Sequence, residues 1–276
     1  VSETWIAVIL GIVEGITEYL PISSTGHLVL AGEALQFTGE RAKTFEVVIQ
    51  LGAILSVLVL YRERFLSLLR GISPKAFSLT ALGEVGIFGV PGLFKLALVS
   101  APALCLAAVF GKVIKGYLFY PLPVAAALAF GAIVILVVDR EESHHRGAYL
   151  EDLTWKQALI IGCVQCCALW PGMSRSASTI IGGMLVGLNR KAAAEFSFLA
   201  AVPILAAAAA HDLFKAAATF TAEDVRLVAI GFVVSFFTAL VAVKLFIEMV
   251  SRMTLRPFAY YRLALALVVV GYTYTR

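Results

Sequence analysis

The sequence predicts an all-α polytopic membrane protein, an inverted repeat in which each half is a re-entrant helical hairpin plus three transmembrane helices. Three observations carry this. The 276 residues are 61% hydrophobic and 14% charged, with mean hydropathy +0.92; a soluble domain is about half apolar and about a quarter charged. Apolar segments recur at about 45–61, 96–111, 121–138, 196–213, 227–247 and 257–274, near the length that crosses a bilayer. The chain also begins again part-way along. Trp5 to Pro21 lies on Trp155 to Pro171, with Gly11 on Gly162, Glu14 on Gln165 after a one-residue slip, Ser24 near Ser174 and Phe45 on Phe196.

Residues 5–20 read as a helix interrupted at Pro21, and residues 25–35 as a second short helix. Both are too short and too polar to span comfortably, which predicts a re-entrant hairpin; such backbone survives at membrane depth only inside protein or beside a wet cavity. The first apolar segment does not read as a signal peptide, because it lacks a basic start and Glu14 and Glu18 interrupt it. A polar link, Thr38 to Lys43, leads to the span 45–61, and a basic loop with Arg62, Arg64, Arg70 and Lys75 follows. Residues 76–92 are Gly-rich and only moderately apolar, and read as an interfacial or loop segment. Two spans, 96–111 and 121–138, precede the most polar stretch, 139–154, where His144 and His145 read as solvated. One membrane domain, 1–276, then comprises repeats at about 1–138 and 155–276. An odd number of crossings per half inverts the second half, and inverted repeats with broken helices place a site at their interface.

The loop after Tyr61, if cytoplasmic, puts eleven Lys and Arg on its side against seven on the other, which favours both termini outside. Net charge +4 suits anionic lipid or an anionic substrate and argues against nucleic acid. Cys105, Cys163, Cys166 and Cys167 form no zinc set and read as small buried residues.

Two polar stretches carry the chemistry. In the first, Glu14 and Glu18 are one helical turn apart and share a face, and Ser23-Ser24-Thr25-Gly26-His27 follows Pro21. The pair suits a divalent cation, Mg²⁺ or Ca²⁺, completed by substrate phosphate oxygens, or acid–base work. His27 titrates near neutrality; Ser24 or Thr25 beside it is a candidate nucleophile, with a cation-activated water as the alternative. In the second stretch, Gly172 permits close backbone approach, Ser174 can cap a helix whose first N–H groups bind anions, and Arg175 presents a planar fork to phosphate. Ser176, Ser178 and Thr179 add hydroxyls. Charges at membrane depth cost at least ~2.5–3.5 kcal/mol each, so Glu14, Glu18 and Arg175 are expected to meet in one cavity. A purely structural Glu–Arg pair would leave the hydroxyls, glycines and His27 unexplained. Gln50, Lys244 and Arg262 are weaker polar candidates within spans.

With Glu14 and Glu18 meeting a [Glu/Gln]-x-x-x-Glu pattern, and Pro171, Gly172, Ser174, Arg175, Ser176 and Thr179 meeting Pro-Gly-x-Ser-Arg-Ser-x-x-Thr, the chain resembles the bacterial undecaprenyl pyrophosphate phosphatases, the bacitracin-resistance family. The resemblance covers essentially the whole chain. It implies a multi-pass lipid diphosphatase of the bacterial cytoplasmic (inner) membrane, its site facing the periplasm, which regenerates the monophosphate carrier lipid of cell-wall synthesis. It implies divalent-cation dependence, a polyprenyl diphosphate substrate among membrane lipids, and a functional set of Glu14, Glu18, Ser24, His27, Ser174 and Arg175. A homodimer is compatible with it. The competing reading is a secondary transporter or lipid flippase, whose fold class is the same but which needs no nucleophile.

Overall fold

The computed structural model describes residues 2–69, 84–139, 147–216 and 222–274. The calls on Arg70 and Lys75, on residues 76–83 and on residues 140–146 of the polar loop, His144 and His145 among them, lie outside these residues. The described chain is helical throughout: α1 (Glu3–Thr17), α2 (Ser24–Ala34), α3 (Glu40–Leu60), α4 (Arg62–Leu69), α5 (Gly89–Leu118), α6 (Pro121–Val138), α7 (Trp155–Gln165), α8 (Arg175–Leu185), α9 (Arg190–Ala216), α10 (Ala222–Val250) and α11 (Arg256–Tyr274). Residues 84–88 are irregular, and 89–92 already belong to α5.

Five helices, α3, α5, α6, α9 and α10, are long and apolar enough to cross a membrane, as expected where every backbone N–H must be satisfied internally. Several such helices in one chain make this a multi-pass membrane protein. The sixth expected span is α11. It has the length, but Arg262 and several tyrosines lower its hydropathy, and it packs along α6. The hairpin limbs are shorter. The fifteen residues of α1 and the eleven of α2 reach only about 22 and 16 Å at 1.5 Å per residue, well under a hydrocarbon core of about 30 Å.

Helix pairing recurs between the halves. α1 lies on α10, and α7 lies on α5. A glycine stripe permits both approaches: a Cβ on Gly11 would fall 2.8 Å from the Gly231 carbonyl oxygen, and one on Gly162 would fall 2.8 Å from those of Leu98 and Val99. Close backbone approach at small residues is how helices associate without a hydrophobic driving force. The α3–α9 and α6–α11 pairs each join the two halves. Tyr19, Phe196, Phe198 and Phe246 lie in the main core beside the α1–α2 turn, with Tyr19 edge-on to Phe198 at 5.2 Å.

The cysteines differ from expectation. Cys105, Cys163 and Cys167 are exposed and Cys166 is half-buried. Their helices are apolar on the outer face as well, because lipid surrounds them, so an apolar sequence context does not imply the protein interior.

Near the end of α6, Asp139 joins three segments. Its Oδ1 accepts from Arg190 Nε at 3.0 Å and from Arg190 Nη2, its Oδ2 accepts from the Leu255 N–H, and Arg190 Nη1 donates to the Met253 carbonyl at 3.1 Å. Both ionic side chains are 1% exposed. Asp139→Ala leaves the Arg190 charge buried and is expected to cost about 3–5 kcal/mol, read as a lowered melting temperature in detergent. A change within the error of the melt would show that solvent already reaches the pair.

Candidate active site

The site forms where the tips of the two hairpins meet. Each tip turns on a serine in a left-handed conformation, Ser23 at φ 73° and Ser174 at φ 70°. Such a φ is uncommon outside glycine. Each serine then caps the next helix: Ser23 Oγ accepts from the Gly26 N–H at 3.4 Å, and Ser174 Oγ accepts from the Ala177 N–H at 3.2 Å. The correspondence is therefore Ser23 with Ser174, one residue from the pairing of Ser24 with Ser174 that the sequence suggests. Ser24 and Arg175 become equivalent first residues of α2 and α8.

Both first residues reach Glu18. Ser24 Oγ donates to Glu18 Oε2 at 2.6 Å, and Arg175 Nη2 donates to Glu18 Oε1 at 2.9 Å. Glu18 is 5% exposed, so the pair has little competition from water. Arg175 is aimed from behind. Nη1 donates to the Ser197 carbonyl at 3.0 Å and lies 3.4 Å from its Oγ, and the guanidinium carbon lies 5.7 Å from the Tyr19 ring centroid. Its Nε is buried and without a partner. One turn back on α1, Glu14 is 1% exposed and neither carboxylate oxygen has a hydrogen-bond partner; Glu18, Glu46 and Arg175 are within electrostatic reach.

Glu18 and Arg175 border a cavity lined also by Ser23, Ser24, Thr25, Gln50, Gly172 and Ser174, with Ala168, Pro171 and Leu205; Glu14, which the sequence reading placed in the same cavity, is not on its lining. The first N–H groups of α2 and α8 have no acceptor within their own helices, and their positive dipole ends face the same space. Gly172 (φ 99°) is required here: a Cβ would fall 2.5 Å from the Val124 carbonyl oxygen. A second, mainly apolar cleft adjoins this cavity. Thr25 and Pro171 line both, and Val29, Leu30, Val124 and Val269 line only the cleft.

The remaining expected residues are placed differently. Ser176 Oγ donates to the Leu20 carbonyl at 2.7 Å and lies 2.9 Å from Ser174 Oγ, tying the two tips together. Thr179 Oγ1 lies 2.6 Å from Ser197 Oγ and within reach of the Arg175 carbonyl at 3.0 Å, so it braces the residue that holds Arg175. Neither lines the cavity. His27 Nδ1 lies 2.8 Å from the Ser23 carbonyl and Nε2 2.7 Å from the Tyr261 hydroxyl, the two rings stacked at 5.6 Å. A carbonyl only accepts, so Nδ1 carries the proton; when the ring is neutral, Nε2 then accepts from the Tyr261 hydroxyl. The sequence reading put the imidazole beside the Ser24 hydroxyl; Glu18 occupies that position. Tyr261 and Ser197 went unassigned in the sequence reading, and Arg262 stood there only as a weaker candidate, a cation in an apolar span.

The bacitracin resistance protein BacA family model matches residues 7–268. The chain belongs to the BacA family. Among curated members, the undecaprenyl-diphosphatase of Solidesulfovibrio magneticus is 52% identical over 271 residues, 97% of each chain. That of Nitratidesulfovibrio vulgaris strain Hildenborough is 54% identical over 265 residues, 96% of each. That of Nitrosomonas europaea is 45% identical over 269 residues, 98% of this chain and 94% of the relative. In this BacA-family chain both hairpin tips, and every residue described at the cavity, fall within the matched span; of the named cleft residues only Val269 lies one position beyond it.

Proposed function

We propose that this protein hydrolyses undecaprenyl diphosphate, or a closely similar polyprenyl diphosphate, to the lipid monophosphate and inorganic phosphate. One observation carries the reading: a single buried carboxylate, Glu18, holds both a serine hydroxyl and an arginine fork where two helix N-termini converge. Ser24 Oγ attacks the terminal phosphorus while Glu18 Oε2 accepts its proton. The bond from that phosphorus to the bridging oxygen breaks, and the lipid monophosphate leaves. Water then cleaves the phosphoserine. Arg175 and the first N–H groups of α2 and α8 stabilise the charge on the transferring group. In this reading His27 and Tyr261 hold the Ser23 turn from outside the cavity. The apolar cleft continuous with the cavity suits a lipid tail, and the excess of Lys and Arg on the opposite side favours a periplasm-facing site in the bacterial inner membrane.

The recurrent helix pairings and the matched serine caps support an inverted repeat with its interface at the site. The residues also fit a divalent cation. Glu14 presents a buried carboxylate lacking a donor, an arrangement that is costly without a counter-charge. Among the described residues no group of three His, Cys, Asp or Glu forms a complete cage, so substrate phosphate oxygens would complete the shell of a cation held by Glu14 and Glu18, the pair one helical turn apart. Bound there, the cation would supply charge neutralisation for the phosphates. A flippase needs no hydroxyl held on a carboxylate.

The test is phosphate release from a polyprenyl diphosphate by purified protein, with and without chelator. Release that stops with chelator and returns with Mg²⁺ or Ca²⁺ is expected, and no release under any cation would overturn the assignment. Glu14→Ala is expected to raise the half-maximal cation concentration by about tenfold, read by cation titration. An unchanged midpoint would place the cation elsewhere.

A further inference from the structure

We propose that Arg262 is a positioning residue for the phosphate cradle: it locks both hairpin tips into the conformation that binds the anion. This rests on the diphosphatase reading for its reaction, but the geometry stands apart from it. Arg262 is fully buried in α11 and reaches five backbone carbonyls. Nε donates to Leu128 at 3.2 Å. Nη1 donates to Pro21 at 3.3 Å and Met173 at 3.0 Å. Nη2 donates to Ala127 at 3.2 Å and Gly172 at 3.0 Å. Among the described residues no carboxylate pairs with it. A buried guanidinium that spends all five donors on backbone is costly to bury, and three of the five carbonyls belong to the two tips.

The consequence follows from the planar trans peptide. The N–H of a peptide points opposite to its C=O. Arg262 draws the Met173 carbonyl to one side, so the Ser174 N–H points to the other, and no acceptor among the described residues takes it. Ser174 is also the strained left-handed residue that caps α8 and lines the cavity. Holding the Pro21 carbonyl with the same guanidinium sets the first tip against the second. Arg262 therefore supplies no contact to phosphate; it sets the direction of a donor that does, and keeps the Ser24 and Arg175 helix starts aligned on one carboxylate. Lysine could bond only some of these carbonyls and has no fork.

Gly131 supplies an independent probe. A Cβ at Gly131 would fall 2.1 Å from Arg262 Nη2, so Gly131→Ala displaces the guanidinium without removing it. The experiment compares wild type, Arg262→Lys and Gly131→Ala in detergent, with melting temperature as the folding control. It reads two quantities, orthophosphate affinity by titration calorimetry and kcat on the polyprenyl diphosphate. Both variants are expected to lose about tenfold in orthophosphate affinity and about a hundredfold in kcat. A lowered melting temperature with orthophosphate affinity and kcat within about threefold of wild type would make Arg262 a packing element only and overturn the proposal. Should Arg262→Lys fail to fold, Gly131→Ala decides on the same criteria. Orthophosphate binding by the wild type does not depend on turnover, so a chain that binds phosphate but cleaves no lipid would fail the assignment of function and leave this inference standing.

Discussion

Ser24→Ala is expected to lose about 10⁴-fold or more in turnover, the scale seen when a covalent nucleophile is removed from an enzyme that keeps its binding groups. The Ser24 hydroxyl donates to Glu18 at 2.6 Å, a short charge-assisted bond that polarises the O–H toward the carboxylate. Its helix start also faces the cavity that holds Arg175. The wild type should then yield a phosphoserine when quenched during turnover, and Ser24→Ala should yield none. Glu18 is needed twice, as proton acceptor and as the anchor of Arg175. Glu18→Gln is therefore expected to resemble Ser24→Ala more than a simple loss of binding, with kcat falling and KM nearly unchanged. Turnover by Ser24→Ala within about tenfold of wild type, or ~1.4 kcal/mol of barrier, would sink the serine mechanism and favour direct attack by water.

Arg175→Lys is expected to lose about 10²–10³-fold in kcat/KM although the charge is kept. Arg175 uses one terminal nitrogen on Glu18 and the other on Ser197, and leaves Nε buried and unpartnered. Each terminal nitrogen carries a second N–H, so Arg175, which lines the cavity, keeps donors for phosphate on a group already fixed on two sides. The Lys ammonium is a point charge on a flexible stem; it cannot bridge Glu18 and Ser197 while keeping a third donor in the same plane. The guanidinium also lies against the Tyr19 ring, a contact suited to its flat shape. Steady-state kinetics on the polyprenyl diphosphate check this, with the melting temperature as control. A folded Lys variant within about threefold of wild type would show that charge alone suffices and that the fork is not used.

The helical membrane architecture is legible in the sequence because lipid leaves the backbone one solution. A run without charges, such as 121–138, must satisfy its own N–H groups and becomes α6. Proline 21 and the polar residues after it equally mark a break, since a full span could not carry Glu14, Glu18 and His27 into lipid. The same cost requires Glu18 and Arg175 to find each other, although 157 positions separate them. What spacing leaves open is the direction of side chains at a turn. The left-handed φ at Ser23 directs Ser24, and that at Ser174 directs Arg175, toward Glu18, and the hydrogen bonds of His27 to Ser23 and Tyr261 occupy both ring nitrogens. Sequence proximity of Ser24 and His27 therefore did not become contact. Arg262 shows the same limit from the other side. Its five acceptors are backbone carbonyls of α6 and of both hairpin tips, groups that every residue carries, and only the packing of α11 brings them around one guanidinium.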